Sequence, residues 1–276
     1  MLGRRSALFL GFRYLVLLLF TMIAAFPILW LFLTSIKSDR DLFSLPPPLL
    51  FQPTWEGYRR VFDVGFFRYN LVNSFIAAVG TVAVTLILGV PAAYTLARGK
   101  SVFMRIQGIL ILTARMLPSI VLVIPLYLLA QRFGLSNTHL ALIIAYTALN
   151  LPFAIWMIRG FVLTIPIELE QAALVDGCSL IQILRYIVLP LALPGIASSA
   201  VFIFLTCWNE FILALSLTYS QQAQTMPVAV TSFISARGIA WRELAAAACV
   251  MLLPGLLFGI FARRFLVAGL THGTVK

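Results

Sequence analysis

Along this chain, long runs without a charged residue alternate with short segments where charges, glycines and prolines gather. Arg13 to Lys37, Arg68 to Arg98, Arg132 to Arg159, Arg185 to Glu210 and Glu243 to Arg263 each enclose such a run. Each suffices for a helix of about 20 residues to cross roughly 30 Å of hydrocarbon. A further run, about 106–131, holds one internal charge, Arg115. Leu, Ile, Phe and Ala fill the runs without strict alternation, which predicts helices and not barrel strands. The pattern therefore predicts an all-α membrane protein of six transmembrane helices, at about 14–36, 70–97, 104–131, 139–158, 187–213 and 243–262. They form a single transmembrane domain, residues 1–276.

The connections carry their own signals. Residues 37–69 contain Pro46, Pro47, Pro48 and Pro53 among aromatics such as Phe51, Trp55 and Tyr58, a segment predicted to avoid helix and to sit at the lipid–water interface. Phe133–Thr138 is short enough to make spans three and four an antiparallel hairpin. Prolines inside spans, including Pro118, Pro152, Pro190 and Pro254, predict kinks. Residues 159–186 read as a helix–turn–helix at the membrane surface. Pro166 suits a first helical turn, with Thr164 as its cap. Asp176-Gly177 ends that helix, and Ser179 with Gln182 has the capping-box spacing for the next.

Composition agrees with the pattern. Apolar residues make up 62% and charged residues 11%, with a mean hydropathy of +1.02, far from the roughly 45–50% apolar content of soluble domains. The net charge of +11 is spread over short loops, which speaks for membrane topology and against a nucleic-acid partner. Arg4, Arg5, Arg13, Arg98, Lys100, Arg105, Arg159, Arg185, Arg263, Arg264 and Lys276 favour a cytoplasmic placement of both termini. The basic residues on the other side travel with Asp39, Asp41, Glu56, Asp63 and Glu243. The first apolar run continues to about Ile36, longer than a signal-peptide core, and is read as a retained helix. Cys178, Cys207 and Cys249 imply neither a disulfide framework nor a metal site, and no cofactor is expected.

The residues also carry a family resemblance. Ala172, Ala173, Asp176, Gly177 and the Leu189-Pro190 pair stand at the spacing of the "EAA" loop of binding-protein-dependent ABC importers. Ala92-Ala93-Tyr94-Thr95-Leu96-Ala97-Arg98, Leu151-Pro152-Phe153, Trp208-Asn209-Glu210-Phe211 and Gly269-Leu270-Thr271 with Gly273 and Val275-Lys276 extend the likeness nearly end to end. The chain resembles the sugar-importer permeases of the maltose-transporter type. The resemblance implies the type I ABC importer permease architecture and alternating access for a sugar or polyol in a bacterial inner membrane. It implies as partners a homologous second permease, two ABC ATPase subunits and an extracytoplasmic solute-binding protein, besides membrane lipid.

On that resemblance Glu170, Gln171, Ala172, Ala173, Asp176 and Gly177 form the ATPase-coupling site. Gln171 stands where the family has Glu, so either Gln171 or its neighbour Glu170 makes the contact. The outer loop at about 218–241, with Gln221, Gln222, Gln224, Thr225 and Pro227, is expected to face the binding protein. The sequence holds no Gly-x-x-x-x-Gly-Lys-Ser/Thr loop, so ATP hydrolysis belongs to partner subunits and no catalytic residue is expected.

Two ionisable residues lie inside spans, Arg115 and Glu210. At 1.5 Å per residue, Arg115 sits roughly 15 Å and Glu210 about 35 Å from the inner ends of their spans, so the two are not expected to meet. Trp208, Asn209 and Glu210 form the predicted substrate path, where an aromatic face, an amide and a carboxylate suit a polyhydroxylated solute. His139 and His272 lack clustered partners and are read as incidental. The competing reading is an ion-coupled secondary carrier. It requires acids near the midplane and repeated halves, and the chain shows neither.

Overall fold

The computed structural model describes residues 2–63, 67–236 and 238–271, with side chains between residues 9 and 259. His272, Gly273, Val275 and Lys276 lie outside the described residues. The chain forms two compact units, Met1–Gly65 with Val230–Leu253, and Phe66–Ala229 with Pro254–Lys276.

In the first unit, α1 (Leu2–Ser35) is an uninterrupted helix, its membrane-length part exposed along most of its length and buried at Ser35. A short α2 (Asp39–Leu42) follows, capped by Ser38, whose hydroxyl accepts from Asp41 N–H. Helix α3 (Glu56–Asp63) was not expected within 37–69. It forms because the last proline, Pro53, precedes it, and Glu56 then supplies an acid to its first turn. Antiparallel β1 (Ile234–Ser235) and β2 (Gly238–Ile239) lead into α12 (Trp241–Thr271). Arg242, 2% exposed, anchors this unit: its guanidinium reaches Glu243 at 3.2 Å, Glu56 at 3.2 Å and Asp39 at 3.3 Å.

The second unit is built on α4 (Phe67–Arg98) packed along α7 (His139–Thr164), with α10 (Leu189–Trp208) against both. Small residues let these backbones approach: Ala77, Ala78, Thr81, Thr85 and Ala93 are buried on α4, and Ala141, Ala145 and Ala154 on α7. At Gly195 a Cβ would stand 2.3 Å from the Phe161 ring, so only glycine fits that crossing. His139 is not incidental. Its Nε2 pairs with Asn73 Oδ1 at 2.8 Å, joining the start of α7 to α4.

Two spans depart from expectation. The third is not one kinked helix but α5 (Val102–Ala114) and α6 (Ser119–Arg132), bent by 98°. Arg115, Met116 and Leu117 donate to Leu112, Thr113 and Ala114, a tightened i→i−3 turn, and Pro118 then offers no N–H to continue. Five other helices are long and apolar enough to cross a membrane, so the described chain has five such spans, or six if the bent pair counts as one. The fifth span starts earlier than expected, at Leu180, because α9 (Leu180–Ile183) runs through a π-helical turn (Leu184–Val188) into α10. The wider turn precedes Pro190, whose ring would crowd a regular α-helical carbonyl. That span ends at Trp208, and a separate α11 (Ile212–Leu217) follows.

The Arg242 cluster supports a stability prediction. Arg242→Met leaves buried Glu243 with only the longer contact to the exposed Arg60, which costs about 3 kcal/mol. The solubilised protein should therefore unfold at a clearly lower temperature in a thermal scan. Arg60→Met, which removes an exposed partner of Glu56 and a longer 3.4 Å contact to Glu243, should lower that temperature much less.

Candidate coupling and solute sites

The loop between the fourth and fifth spans folds as the helix–turn–helix that its sequence predicts. Its first helix, α8 (Ile167–Val175), opens after Pro166. Thr164 does not cap it: α7 extends to this residue, and the hydroxyl donates back to Phe161 O at 2.7 Å. The helix closes on Gly177 at φ +86°, with Gly177 N–H donating to Leu174 O and Cys178 N–H to Ala173 O at 2.9 Å. Positive φ makes this a glycine position. Ser179 and Gln182 then form the capping box: Ser179 N–H donates to Gln182 Oε1 at 2.7 Å, and Gln182 N–H to Ser179 Oγ at 3.4 Å.

Helix α8 has two chemically distinct sides. Glu170 and Ala173, three residues apart, are buried, whereas Gln171, Ala172 and Asp176 are exposed, as is Gly177 after it. One Glu170 oxygen, Oε1, accepts from Arg98 Nη2 at 2.6 Å and Nε at 2.9 Å, and Oε2 accepts from the Tyr94 hydroxyl at 2.8 Å. Arg98 also donates to Ile165 O at 2.9 Å. This latch ties α8 to the last turn of α4 and to the residue that follows α7. The Glu170 carboxylate is fully engaged inside the chain, so of the two residues considered for an outside contact, Gln171 is the one that faces outward. Tyr94 and Arg98 were legible only as part of a motif and a topological charge. Their i, i+4 spacing, which places both on one helix face, was the available signal.

Trp208, Asn209 and Glu210 diverge. Trp208 is buried and stacks on Phe204 at 5.6 Å. Asn209 is exposed and its amide donates back to Leu205 O at 2.8 Å. Glu210 accepts from Leu213 N–H at 2.9 Å and Ala214 N–H at 3.1 Å, capping α11. Of the three, only Glu210 lines a cavity of about 210 Å³, together with Arg115, Tyr146, Asn150, Phe153 and Phe202. Arg115 and Glu210 thus share one cavity, contrary to the depth count, because that count assumed a straight third span. The guanidinium stacks over Phe153 at 4.2 Å.

The start of the outer loop is held from beneath by side-chain amides. Asn70 and Asn73 donate to Gln224 O, Asn73 also to Gln221 O, and Ser74 Oγ accepts from Met226 N–H at 2.7 Å. Asn137 Oδ1 accepts from Tyr219 and Ser220 N–H. Gln221 and Gln222 remain exposed on top.

Residues 85–272, which include α8, the latch and the cavity, match the model of the binding-protein-dependent transport system inner membrane component family. The chain belongs to this family. It is therefore a multi-pass inner-membrane transport component, and the reading as an ion-coupled carrier falls. Its relatives include a probable ABC transporter permease of Sinorhizobium fredii, 39% identical over 91% of this chain and 90% of that protein. A trehalose transport system permease of Mycobacterium tuberculosis is 36% identical over 92% and 93%, and a diacetylchitobiose uptake system permease of Streptomyces coelicolor 34% over 91% and 91%. The fold matches a chain from the crystal structure of a bacterial ABC transporter that imports the acidic polysaccharide alginate. That match has a TM-score of 0.80 at 22% identity, covering 95% of this permease and 98% of that chain.

The latch predicts an asymmetry between neighbours. Glu170→Ala strands Arg98 and costs about 3–5 kcal/mol, which should release α8 and expose it to limited proteolysis. Gln171→Ala should leave the cleavage pattern as in the wild type.

Proposed function

We propose that this permease imports a sugar or polyol by alternating access, driven by two ATPase subunits that grip the exposed side of α8. The carrying observation is the division of α8 into an outward side and a latched inward side. A push on Gln171, Ala172 or Asp176 reaches α4 through Glu170 and Arg98 without passing through a flexible joint. The trehalose and diacetylchitobiose relatives support a saccharide as solute. The sequence carries no nucleotide-binding loop, which supports ATP hydrolysis in separate subunits. The bent α5–α6 pair buries a single residue, Ala130, within this chain, which supports a second permease as its cover. Both termini then lie in the cytoplasm, residues 1–276 act as one permease domain, and the exposed Gln221 and Gln222 meet a solute-binding protein.

In proteoliposomes holding the complete complex, solute uptake should require ATP and the binding protein and persist with a protonophore. Uptake that collapses with the ion gradient and ignores ATP would sink the proposal. Gly177→Val forces a β-branched residue to φ +86°. It should abolish uptake and solute-stimulated ATPase while the complex still co-purifies, and wild-type uptake by this variant would remove α8 from the coupling path.

A further inference from the structure

Lys37 stands just beyond the end of α1 and is only 5% exposed. Its ammonium lies 5.0 Å from the Phe51 ring centroid and 5.3 Å from that of Trp30. The three N–H donors of that group meet neither an acceptor nor a carboxylate among the described residues. Asp39, Glu56 and Glu243 hold Arg242 instead, and Asp41 accepts from the Ser38 hydroxyl at 2.6 Å. Attraction to two rings offsets only part of the desolvation of a buried ammonium, so an anion beside Lys37 is favoured.

The space around Lys37 shows what that anion is part of. Lys37 borders a cavity of about 360 Å³, with Trp30, Thr34, Asp41, Pro47 and Trp241 among the other walls. Through Trp30, Thr34 and Trp241 the cavity continues into a groove of about 570 Å³ between α1 and α12, walled by Phe26, Leu31, Leu244 and Ala248. Both volumes fall in the range of ligand clefts, about 300–1,000 Å³. From Phe26 to Thr34 the helix rises about 12 Å, all of it within the membrane-length stretch Phe9–Ser35. The groove thus lies at hydrocarbon depth, and its mouth lies at the end of the span, where Trp side chains favour the lipid–water boundary. One ligand with a charged head and an apolar tail fills both spaces. A soluble partner reaches only the mouth.

We infer that these two spaces bind one zwitterionic phospholipid, its phosphate on Lys37, its headgroup ammonium on Asp41 and an acyl chain in the groove between α1 and α12. Charge complementarity selects the headgroup. The phosphodiester takes the donors of Lys37, and the amine meets the Asp41 carboxylate. A headgroup without an amine leaves that carboxylate facing the phosphate. The site lies wholly within the unit of Met1–Gly65 and Val230–Leu253 and shares no residue with the Arg115 cavity. Bound there, the lipid cements α1 to α12, so it should also raise the unfolding temperature.

The test uses the complete transport complex, purified in detergent, stripped of lipid and titrated with dioleoyl phosphatidylethanolamine or dioleoyl phosphatidylglycerol under native mass spectrometry. The wild type should bind phosphatidylethanolamine in preference to phosphatidylglycerol. General attraction to a chain of net charge +11 would favour the anionic lipid, so this preference is a signature of the site. Lys37→Gln should weaken phosphatidylethanolamine binding about tenfold, as expected for the loss of charged hydrogen bonds, and Lys37→Arg should restore most of it. Asp41→Asn should erase the preference between the two lipids. Ala248→Phe, which fills the groove away from both charges, should weaken the binding of both. Glycerophosphoethanolamine and inorganic phosphate, which carry the phosphate without the chains, should not displace the lipid. A wild type without the preference, wild-type binding by Lys37→Gln or Ala248→Phe, or a preference that survives Asp41→Asn would overturn the inference. Displacement by the soluble phosphates would make the pocket a site for free anions, and a carbodiimide cross-link from Lys37 to a partner subunit's carboxylate would make it a protein contact. Either result overturns the lipid assignment. Should Lys37→Gln fail to assemble, Asp41→Asn and Ala248→Phe decide the matter alone.

Discussion

Hydrocarbon offers no partner to a backbone N–H or C=O, and that constraint governs where this chain is regular and where it breaks. Helices run unbroken wherever the sequence is uniformly apolar. Where it is not, local substitutes take over. Thr81, Ser198 and Ser199 hydroxyls bond back to the carbonyls four residues earlier. A π-helical turn precedes Pro190, and a tightened turn precedes Pro118. Regularity is thus abandoned at a few points only. Both places of chemical interest grow from them: the break before Pro118 opens the Arg115 cavity, and the π-helical turn carries the loop around α8 straight into the fifth span.

The apolar runs gave up the class and approximate spans without a structure, because a bilayer imposes a length that composition cannot disguise. The Ser179–Gln182 cap and the Gly177 turn were equally legible, since each is a local device written in adjacent residues. What stayed hidden depends on bends and on facing directions. Nothing in residues 104–131 shows that the prediction of a kink at Pro118 understates a 98° bend. From that one error follows the misplaced separation of Arg115 and Glu210. Likewise, proximity in sequence suggested a joint site for Trp208, Asn209 and Glu210, yet the end of α10 sends them three different ways.

The latch changes the meaning of a buried charge pair in this setting. Such pairs contribute little net stability compared with well-packed apolar groups, because desolvation offsets the attraction. Their value lies in direction. Glu170 accepts from three donors at fixed distances, so α8 cannot rotate relative to the end of α4 without breaking charged hydrogen bonds. An apolar contact of the same size would permit sliding.

The separation of tasks around α8 has an evolutionary consequence. Residues that anchor the helix, Glu170 and Ala173, point one way, and Gln171, Ala172 and Asp176 point the other. If the outward side meets the motor, as proposed above, drift there re-specifies which motor the permease accepts while the gearing behind it stays intact. On that proposal, Gln171, where the resemblance implies an acid, is a change of this kind: it rewrites the handshake and leaves the lever alone.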